Sequence, residues 1–252
     1  MNDLVPVVDF TQAVKDATGQ LGKRSGRIYQ NDAQRFAEWI QGQGLTVRDL
    51  TRSHLIAYRS HLDATYAKAT AARMLSIARR ILNEQVIAGH IAANPAKEVK
   101  GFSLDNESPH ISLSKQEAKD LLDAIDTSTP GGNRDYALIS LLLRTGIRRS
   151  ECVALNIGDF TQEQGHTIAT VRHGKGDKRR KVKIPVDVFR SIGEYLETRT
   201  ITSQDEPLFV GIGSRWQGQR ITDKFIERTV GTYGRKIGIE LTPHDLRASF
   251  IT

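Results

Sequence analysis

The sequence predicts a mostly α-helical protein of two domains, with a small β element in the second domain. Apolar residues recur at helical spacing along most of the chain, as in the stripe from Tyr29 to Ile40. A strand–turn–strand pattern replaces that spacing over 167–184. A polar stretch without periodicity, 101–109, separates the two groups of helices. We therefore expect a four-helix N-terminal domain over 1–105 and an α+β domain over 110–252 with a small antiparallel hairpin or sheet.

In the N-terminal domain, three helices are expected after a short arm or weak helix in the first 24 residues. These helices are expected over Arg27 to about Gln43, Arg52 to Leu62 and Ala67 to Ala88. A short final turn is expected from Asn94 to Val99. The core stripe of the third helix is expected to contain Met74, Ile77, Ala78 and Ile81. Arg73 and Arg80 fall on another face of this helix. That face either follows a phosphate backbone or is an ordinary solvated surface, and these residues alone favour the solvated surface.

The second domain is expected to begin with a capping box, Ser114 to Glu117, that opens a helix reaching about Asp126. The next expected elements are a loop at Pro130–Gly132, an apolar buried helix from Arg134 to Arg144, a break at Thr145–Gly146 and a helix from Arg149 to Leu155. After the strands come a helix from Val186 to about Arg199, a short strand at Pro207–Val210 and a helix capped by Thr222. Thr242 is a natural N-cap for the last helix, and Pro243 suits its first position.

Composition and charge favour a folded protein that binds a polyanion. Hydrophobic residues make up 38% of the 252 residues and charged residues 26%, so the chain can bury real cores. The net charge is +7 at pH 7. Residues 1–105 carry 14 Lys and Arg against 10 Asp and Glu, and the remainder carries 22 against 19, so the excess is no local basic tail. Nucleic acid is the simplest partner for such a chain.

Three features favour a cytoplasmic protein, or a nuclear one if the source is eukaryotic, that does not bind a membrane. The sequence has no run of about 18 apolar residues, the length that a spanning helix needs. The segment Met1–Pro6 lacks the basic and then apolar form of a signal peptide. The single cysteine, Cys152, excludes an internal disulfide and any zinc site built from several cysteines.

His244 and Arg247 form the first candidate site. They are three residues apart, so both side chains leave the same face of the last helix. An imidazole beside a guanidinium fork is a receptor suited to phosphate. Many helices carry such a pair for solvation only, so the site depends on partners elsewhere in the chain.

Two further places carry conspicuous basic residues. Arg148 follows the break at Gly146, and Glu151, one helical turn on, is placed to hold it. The alternative is a surface arginine pair at a helix junction. The hairpin is strongly basic, and Lys175 lies at its glycine-flanked tip. There Lys175 reaches a base edge or a sugar oxygen, or the hairpin serves phosphate contacts only, and these interpretations have equal weight.

Together the three places resemble the motifs of the tyrosine recombinase, or phage integrase, family, and most closely its Xer-like bacterial members. The motifs are Thr-Gly-Ile-Arg-Arg-Ser-Glu at 145–151, Gly-Lys-Gly-Asp-Lys-Arg-Arg at 174–180 and Thr-Pro-His-Asp-Leu-Arg at 242–247. Each is weak alone, but their order and spacing fit the family, as do the preceding helical domain and Asn94-Pro95 near its end. The resemblance covers nearly the whole chain.

The resemblance implies a role for each candidate residue. Arg148 and Arg247 clamp the non-bridging oxygens of the scissile DNA phosphate, and His244 is a third donor that assists proton transfer. Lys175 is the general acid that protonates the departing 5′ oxygen. Preorganised donors of this kind match the charge that develops in phosphoryl transfer, so neither a metal nor a cofactor is expected. Further candidate DNA contacts are Arg73, Arg80, Lys178 and Arg179.

The resemblance also implies partners and domain roles. Residues 1–105 correspond to the family's SAM-like core DNA-binding domain, and 110–252 to its catalytic domain, incomplete at its C-terminus. The expected partners are double-stranded DNA and, for a full-length protein, further copies of itself in a tetramer on two DNA sites. Accessory DNA-bending proteins are further candidates.

One departure from the family decides what this chain is expected to do. In the family the nucleophile is a tyrosine well beyond the position of Arg247, preceded by a His or Trp that also contacts the phosphate. The six tyrosines of this sequence all precede His244. We expect each of them to be a core or half-buried residue, and we expect this chain to bind DNA without cutting it.

Three functions remain open on these grounds. The first is an enzyme that cleaves and rejoins DNA through a 3′-phosphotyrosyl link, with this chain a truncated form that lacks the nucleophile. The second is a non-catalytic DNA-binding protein that occupies sites as a regulator or competitor. The third is a type IB topoisomerase, which shares the chemistry without needing paired sites. The compact first domain and the Xer-like motifs argue against the third.

Overall fold

A computed structural model of the protein describes two compact units, Met1–Glu107 and Ser108–Thr252. The residues described are 12, 14–17, 19, 23–104, 110–172, 179–213 and 216–251, apart from the side chains of 23–25 and 251. Each unit has a hydrophobic core of its own. No helix in this part of the chain combines the length and the apolar composition that a bilayer crossing requires.

The first unit is built from helices. Its long helices are α1 (Lys23–Gly42), α2 (Arg52–Thr65) and α3 (Lys68–Ile87), with a 3-10 helix at Val47–Asp49 between the first two. Residues 12 and 14–17 are also helical, and the rest of the predicted arm before 23 lies outside the described residues or has no regular structure. α1 begins earlier than the predicted Arg27. The Thr51 hydroxyl accepts a hydrogen bond from the His54 N–H and caps α2.

The core of this unit takes one stripe from each helix. The predicted stripe of α3 is confirmed, because Met74, Ile77, Ala78 and Ile81 are all buried. The predicted final turn is also present, where Asn94 accepts from the Ala96 N–H and donates to the Arg79 carbonyl. Residues 101–104 of the predicted linker have no regular structure, and 105–109 lie outside the described residues.

The second unit combines helices with a small sheet, as predicted. Its helices are α4 (Lys115–Asp123), α5 (Pro130–Thr145), α6 (Arg149–Ala154), α7 (Val186–Glu197), α8 (Asp223–Lys236) and α9 (Pro243–Ile251). Its strands are β1 (Phe160–Glu163), β2 (His166–Val171) and β3 (Arg180–Ile184), in the order β1-β2-β3 with both pairs antiparallel. In the register of β2 with β3, Thr167 lies opposite Ile184 and Val171 opposite Arg180.

Helix α5 lies at the centre of the second core. Every residue from Ala137 to Leu143 is buried, which confirms the predicted central apolar helix. α5 packs against α7, α9, β3 and α4. Gly146 ends it as the C-cap with a φ of 56°, in the left-handed region that glycine adopts at little cost. The predicted break at Thr145–Gly146 is therefore present.

Two predicted elements are wrong. Pro130–Gly132 is not a loop but the first turn of α5, because the Thr129 hydroxyl accepts from the Gly132 N–H and Pro130 takes the first helical position. Residues 207–210 form no named strand and make only isolated bridges, Asn156 with Pro207 and Val210 with Arg220. Strand β1 was not predicted.

Candidate functional site

The break between α5 and α6 places Arg148 at the N-cap of α6. Its backbone N–H donates to Glu151 Oε2 and its Nη1 to Glu151 Oε1, both at 2.9 Å. The expected hold of Arg148 by Glu151 is therefore confirmed. The Arg148 side chain remains 39% exposed. Its guanidinium is thus fixed on one side and open to a ligand on the other.

Arg180 is a second partner of the same carboxylate. It lies on β3 and donates from Nη2 to Glu151 Oε2 at 2.6 Å, with its Nε 3.5 Å from Oε1. The Glu151 side chain is 1% exposed. Burial by itself would raise the pKa of Glu151, but the hydrogen bonds from Arg180 and Arg148 outweigh it and hold the pKa below its ordinary value. Glu151 is therefore ionised at neutral pH and ties α6 to β3.

The N-terminus of α9 is anchored by Asp245. The Thr242 N–H and hydroxyl both donate to Asp245 Oδ2 at 2.6 Å, which confirms the predicted helix start. The Ile111 N–H donates to Asp245 Oδ1 at 3.1 Å, and His110 Nδ1 lies at the same distance from that oxygen. Burial would raise the pKa of Asp245, but the donors from Thr242, Ile111 and His110 lower it overall. The start of α9 is thus fixed to the segment at 110–111.

Arg247 reaches from α9 to the break after α5. Its Nη1 donates to the carbonyl of Gly146, two residues before Arg148. Burial lowers the pKa of Arg247, and the neighbouring positive charges of Arg148 and Arg180 lower it further. A guanidinium stays charged in proteins despite such a shift. Two guanidinium groups contact the buried Glu151 carboxylate, and that of Arg247 lies near enough to feel its charge, which leaves an excess of positive charge.

His244 completes the cluster. Its ring meets the ring of His110 edge to face, with the centroids 4.1 Å apart. Partial burial, then the neighbouring His110 and Arg247, lower the pKa of His244 below its ordinary 6.5. A neutral imidazole at pH 7 keeps one N–H to donate. The structure therefore brings Arg148, His244 and Arg247 together as donors suited to a phosphate.

The other candidate residues are placed differently. Lys175 and Lys178 lie outside the described residues, and Arg179 is exposed next to the start of β3. In the first unit, Arg73 pairs with the buried carboxylate of Asp32 and so joins α3 to α1. Arg80 is half-buried on α3. Arg73 therefore has a partner inside the protein. Neither expected alternative, a solvated face or a DNA-facing one, included this ion pair.

The sequence patterns do not identify two residues of this cluster, Arg180 and His110. Arg180 was one of several basic residues in the hairpin, but alternation along β3 could have singled it out. Val182 and Ile184 are buried while Lys181 and Lys183 are exposed, so Arg180 is in the inward register. His110 lies in a segment without periodicity, where no pattern marks it.

The six tyrosines are packed into the two cores or against them, as expected. Tyr58 and Tyr195 are buried, and the Tyr195 hydroxyl accepts from the Val210 N–H. The Tyr233 hydroxyl donates to Asp135. The others are partly buried against the cores: Tyr29, Tyr66 and Tyr136.

Comparison with protein families matches both units. Residues 112–252 match the phage integrase family, and residues 10–86 match the phage integrase N-terminal SAM-like domain. The chain is 30% identical over 232 residues to the tyrosine recombinase XerD of Shewanella oneidensis, covering 89% of this chain and 74% of that protein. It is 31% identical over 241 residues to XerD of Corynebacterium glutamicum, covering 89% and 76%.

Solved structures share the fold at lower identity. One is the XerH site-specific recombinase bound to palindromic difH substrate in a post-cleavage complex, with a TM-score of 0.70 and 21% identity over 91% of this chain and 68% of that chain. Another is a lambda integrase tetramer bound to a Holliday junction, with a TM-score of 0.71 and 17% identity over 96% and 70%. Since a family match spans over half of the sequence and the relatives agree with it, the chain belongs to the phage integrase family, among its Xer-like tyrosine recombinases.

Proposed function

We propose that the protein binds double-stranded DNA and that Arg148, His244 and Arg247 hold the scissile phosphate of a site-specific recombination reaction. The observation that carries this proposal is the meeting of two guanidinium groups and an imidazole around the break after α5. Their charge and fork geometry match the non-bridging oxygens of a phosphodiester. Donors fixed before the reaction stabilise charge that develops in phosphoryl transfer.

In a protein that also supplies the nucleophilic tyrosine, this reaction passes through a 3′-phosphotyrosyl intermediate, with Lys175 as the acid for the departing 5′ oxygen. The first unit is the core DNA-binding domain, and the second is the catalytic domain. Arg80, Lys178 and Arg179 contribute DNA contacts, whereas Arg73 is held by the buried carboxylate of Asp32. XerH occurs in complex with its difH substrate and lambda integrase as a tetramer on a Holliday junction, which supports DNA and further copies of this chain as partners. The reaction takes place in the cytoplasm, where accessory DNA-bending proteins assist it.

The phosphate pocket can be tested by removing one charge at a time from DNA. A duplex selected for tight binding is prepared as a series, each member with one neutral methylphosphonate in place of a phosphate. We expect one position per half-site to lose much more affinity than the others, because it occupies the pocket. Arg148→Ala and Arg247→Ala should abolish that difference. Uniform small losses along the whole series would refute the pocket.

We further propose that none of the six tyrosines is the nucleophile, so that these 252 residues bind DNA without cleaving it. The packing and hydrogen bonds of Tyr58, Tyr195 and Tyr233 support this proposal. Incubation with a nicked suicide duplex, which traps a phosphotyrosyl link, should give no covalent adduct on a denaturing gel. An adduct that one Tyr→Phe variant abolishes would show that this tyrosine serves as the nucleophile.

Because they bind DNA without cleaving it, these 252 residues should compete with a cleaving relative for the same site. The same suicide substrate measures this directly, because the chain should slow adduct formation by an active Xer recombinase that shares the site.

A further inference from the structure

We propose that Arg180 is a positioning residue of the phosphate pocket, which neutralises Glu151 so that the charge of Arg148 stays available to the phosphate. This inference rests on the proposed function. The geometry that carries it is the division of one buried carboxylate between two guanidinium groups from different elements.

The contacts of Glu151 show how the division works. Oε2 accepts from the Arg180 Nη2 at 2.6 Å and from the Arg148 backbone N–H at 2.9 Å. Oε1 accepts from the Arg148 Nη1 at 2.9 Å, and Arg180 Nε approaches it at 3.5 Å. The shortest side-chain contact therefore belongs to Arg180. Arg148 engages the carboxylate through one nitrogen of its fork, and Arg180 is aimed at it through two.

The charges lead to the same conclusion. Arg148, Arg180 and Arg247 act on one another and on Glu151, so the cluster carries two net positive charges when all four groups are ionised. Without Arg180, one net charge would remain, and Glu151 would be free to compensate Arg148. Opposite charges a few ångströms apart in a partly buried site interact strongly. Removing Arg180 would thus weaken phosphate binding at Arg148, even if Arg180 never touches the phosphate.

The position of Arg180 is set by the sheet. It lies opposite Val171 in the register of β2 with β3, and the following inward residues of β3 are buried. Its neighbour Arg179 has the same charge but is exposed. Arg179 is therefore a matched control, since it differs from Arg180 in the contact with Glu151.

The methylphosphonate series tests the inference with the 252-residue chain. The measured quantity is the ratio of affinities for native DNA and for the duplex with the neutral group at the pocket position. In Arg180→Ala this ratio should fall by roughly tenfold, because the pocket has lost one charge. The ratio should fall similarly in Arg180→Gln, and it should stay close to the wild-type value in Arg180→Lys. Arg179→Ala should weaken all members of the series alike and leave the ratio unchanged.

A rescue separates charge compensation from a merely structural role. In the double variant Glu151→Gln with Arg180→Ala, there is no carboxylate to compensate Arg148, so the ratio should recover relative to Arg180→Ala. Thermal unfolding of each variant identifies those that fold, and Arg180→Gln replaces Arg180→Ala if the latter does not. A full wild-type ratio without Arg180, or no recovery in the double variant, overturns the inference. If the wild-type protein shows no pocket position, the proposed function itself fails.

Discussion

At the scale of single residues, His244 would link the proposed phosphate pocket to pH. Burial, His110 and the two arginines Arg247 and Arg148 disfavour its protonated form, while Asp245 opposes them more weakly. In the free protein the imidazole is therefore neutral at pH 7. A bound phosphate adds negative charge beside it and so favours uptake of a proton.

DNA affinity should accordingly rise as the pH falls through and below 6.5, the ordinary pKa of histidine. Linkage limits the gain to about tenfold per pH unit for one proton. Stability should move the opposite way, because the folded state has the lower pKa and the unfolded state binds more protons at acid pH. His244→Gln should flatten the pH dependence of affinity in a titration by fluorescence anisotropy. His166→Gln, on the exposed end of β2, should leave it intact, and an unchanged profile in His244→Gln would contradict the role.

The residues that sequence could and could not identify differ in a physical way. Arg148 directly follows a helix break, and His244 and Arg247 lie in the first turns of a helix whose start is marked in the sequence. These local patterns indicate on which side of the backbone the side chains lie. Arg180 on β3 contacts Glu151 on α6. This contact depends on how the two elements pack together, which a local sequence pattern does not record. His110 meets His244 across a long separation in sequence, and no local pattern records such a contact.

At the scale of elements, the end of α5 holds the pocket together. Gly146 provides the left-handed C-cap, and its carbonyl accepts from Arg247. A Cβ at this position would lie 2.5 Å from Cδ1 of Phe250 on α9. Any side chain there would therefore strain the backbone and push on the helix that carries His244 and Arg247.

Gly146→Ala should destabilise the protein by more than the about 1–2 kcal/mol that a left-handed residue costs by itself. Gly165→Ala is the matched control. The φ of Gly165 is 77°, and nothing lies within 4 Å of the added Cβ. Alanine there has the energetic cost of a left-handed backbone but causes no clash. Urea denaturation compares the two free energies of unfolding, and the methylphosphonate series should show a weakened pocket in Gly146→Ala only. Equal effects of both substitutions would mean that α9 accommodates the methyl group freely.

The errors in the predicted elements have local causes. Pro130 and the two glycines after it favour a loop on composition, but the cap from Thr129 and the missing N–H of proline suit the start of a helix equally well. A Cβ at Gly132 would lie 1.6 Å from the Asp126 carbonyl oxygen, so this glycine serves close packing rather than a turn. β1 is four residues long with Thr161 and Gln162 exposed, too short to show an alternation.

At the scale of the whole molecule, charge is distributed over the entire sequence, which carries 36 Lys and Arg against 29 Asp and Glu. Several of these cations are committed to internal partners, as Arg73 is to Asp32 and Arg172 is to Asp159. Net charge therefore overstates what is available to DNA. The division into two helical units and the class of the second unit follow from periodicity, whereas the commitment of particular cations follows only from packing.

DNA affinity should fall steeply with salt, because each phosphate contact releases counterions. The slope of log affinity against log salt is expected near −0.9 for each contact. Arg179→Ala should make the slope shallower by about one contact. Arg172→Ala, which removes a cation paired with the buried Asp159, should change the slope less than Arg179→Ala does. Filter binding at several salt concentrations measures both slopes, and an affinity independent of salt would contradict binding through phosphate contacts.

The contact of Arg247 with Gly146 joins residues 101 positions apart in the chain. Arg148 is therefore incorporated into the chain about 5–20 s before Arg247 at ordinary rates of synthesis. During that interval the nascent chain contains Arg148 but not Arg247. It therefore cannot bind a phosphodiester through both arginines, whether that phosphodiester belongs to the chromosome or to the messenger RNA being read. The helices and strands between the two arginines must therefore be made before the phosphate pocket can be complete.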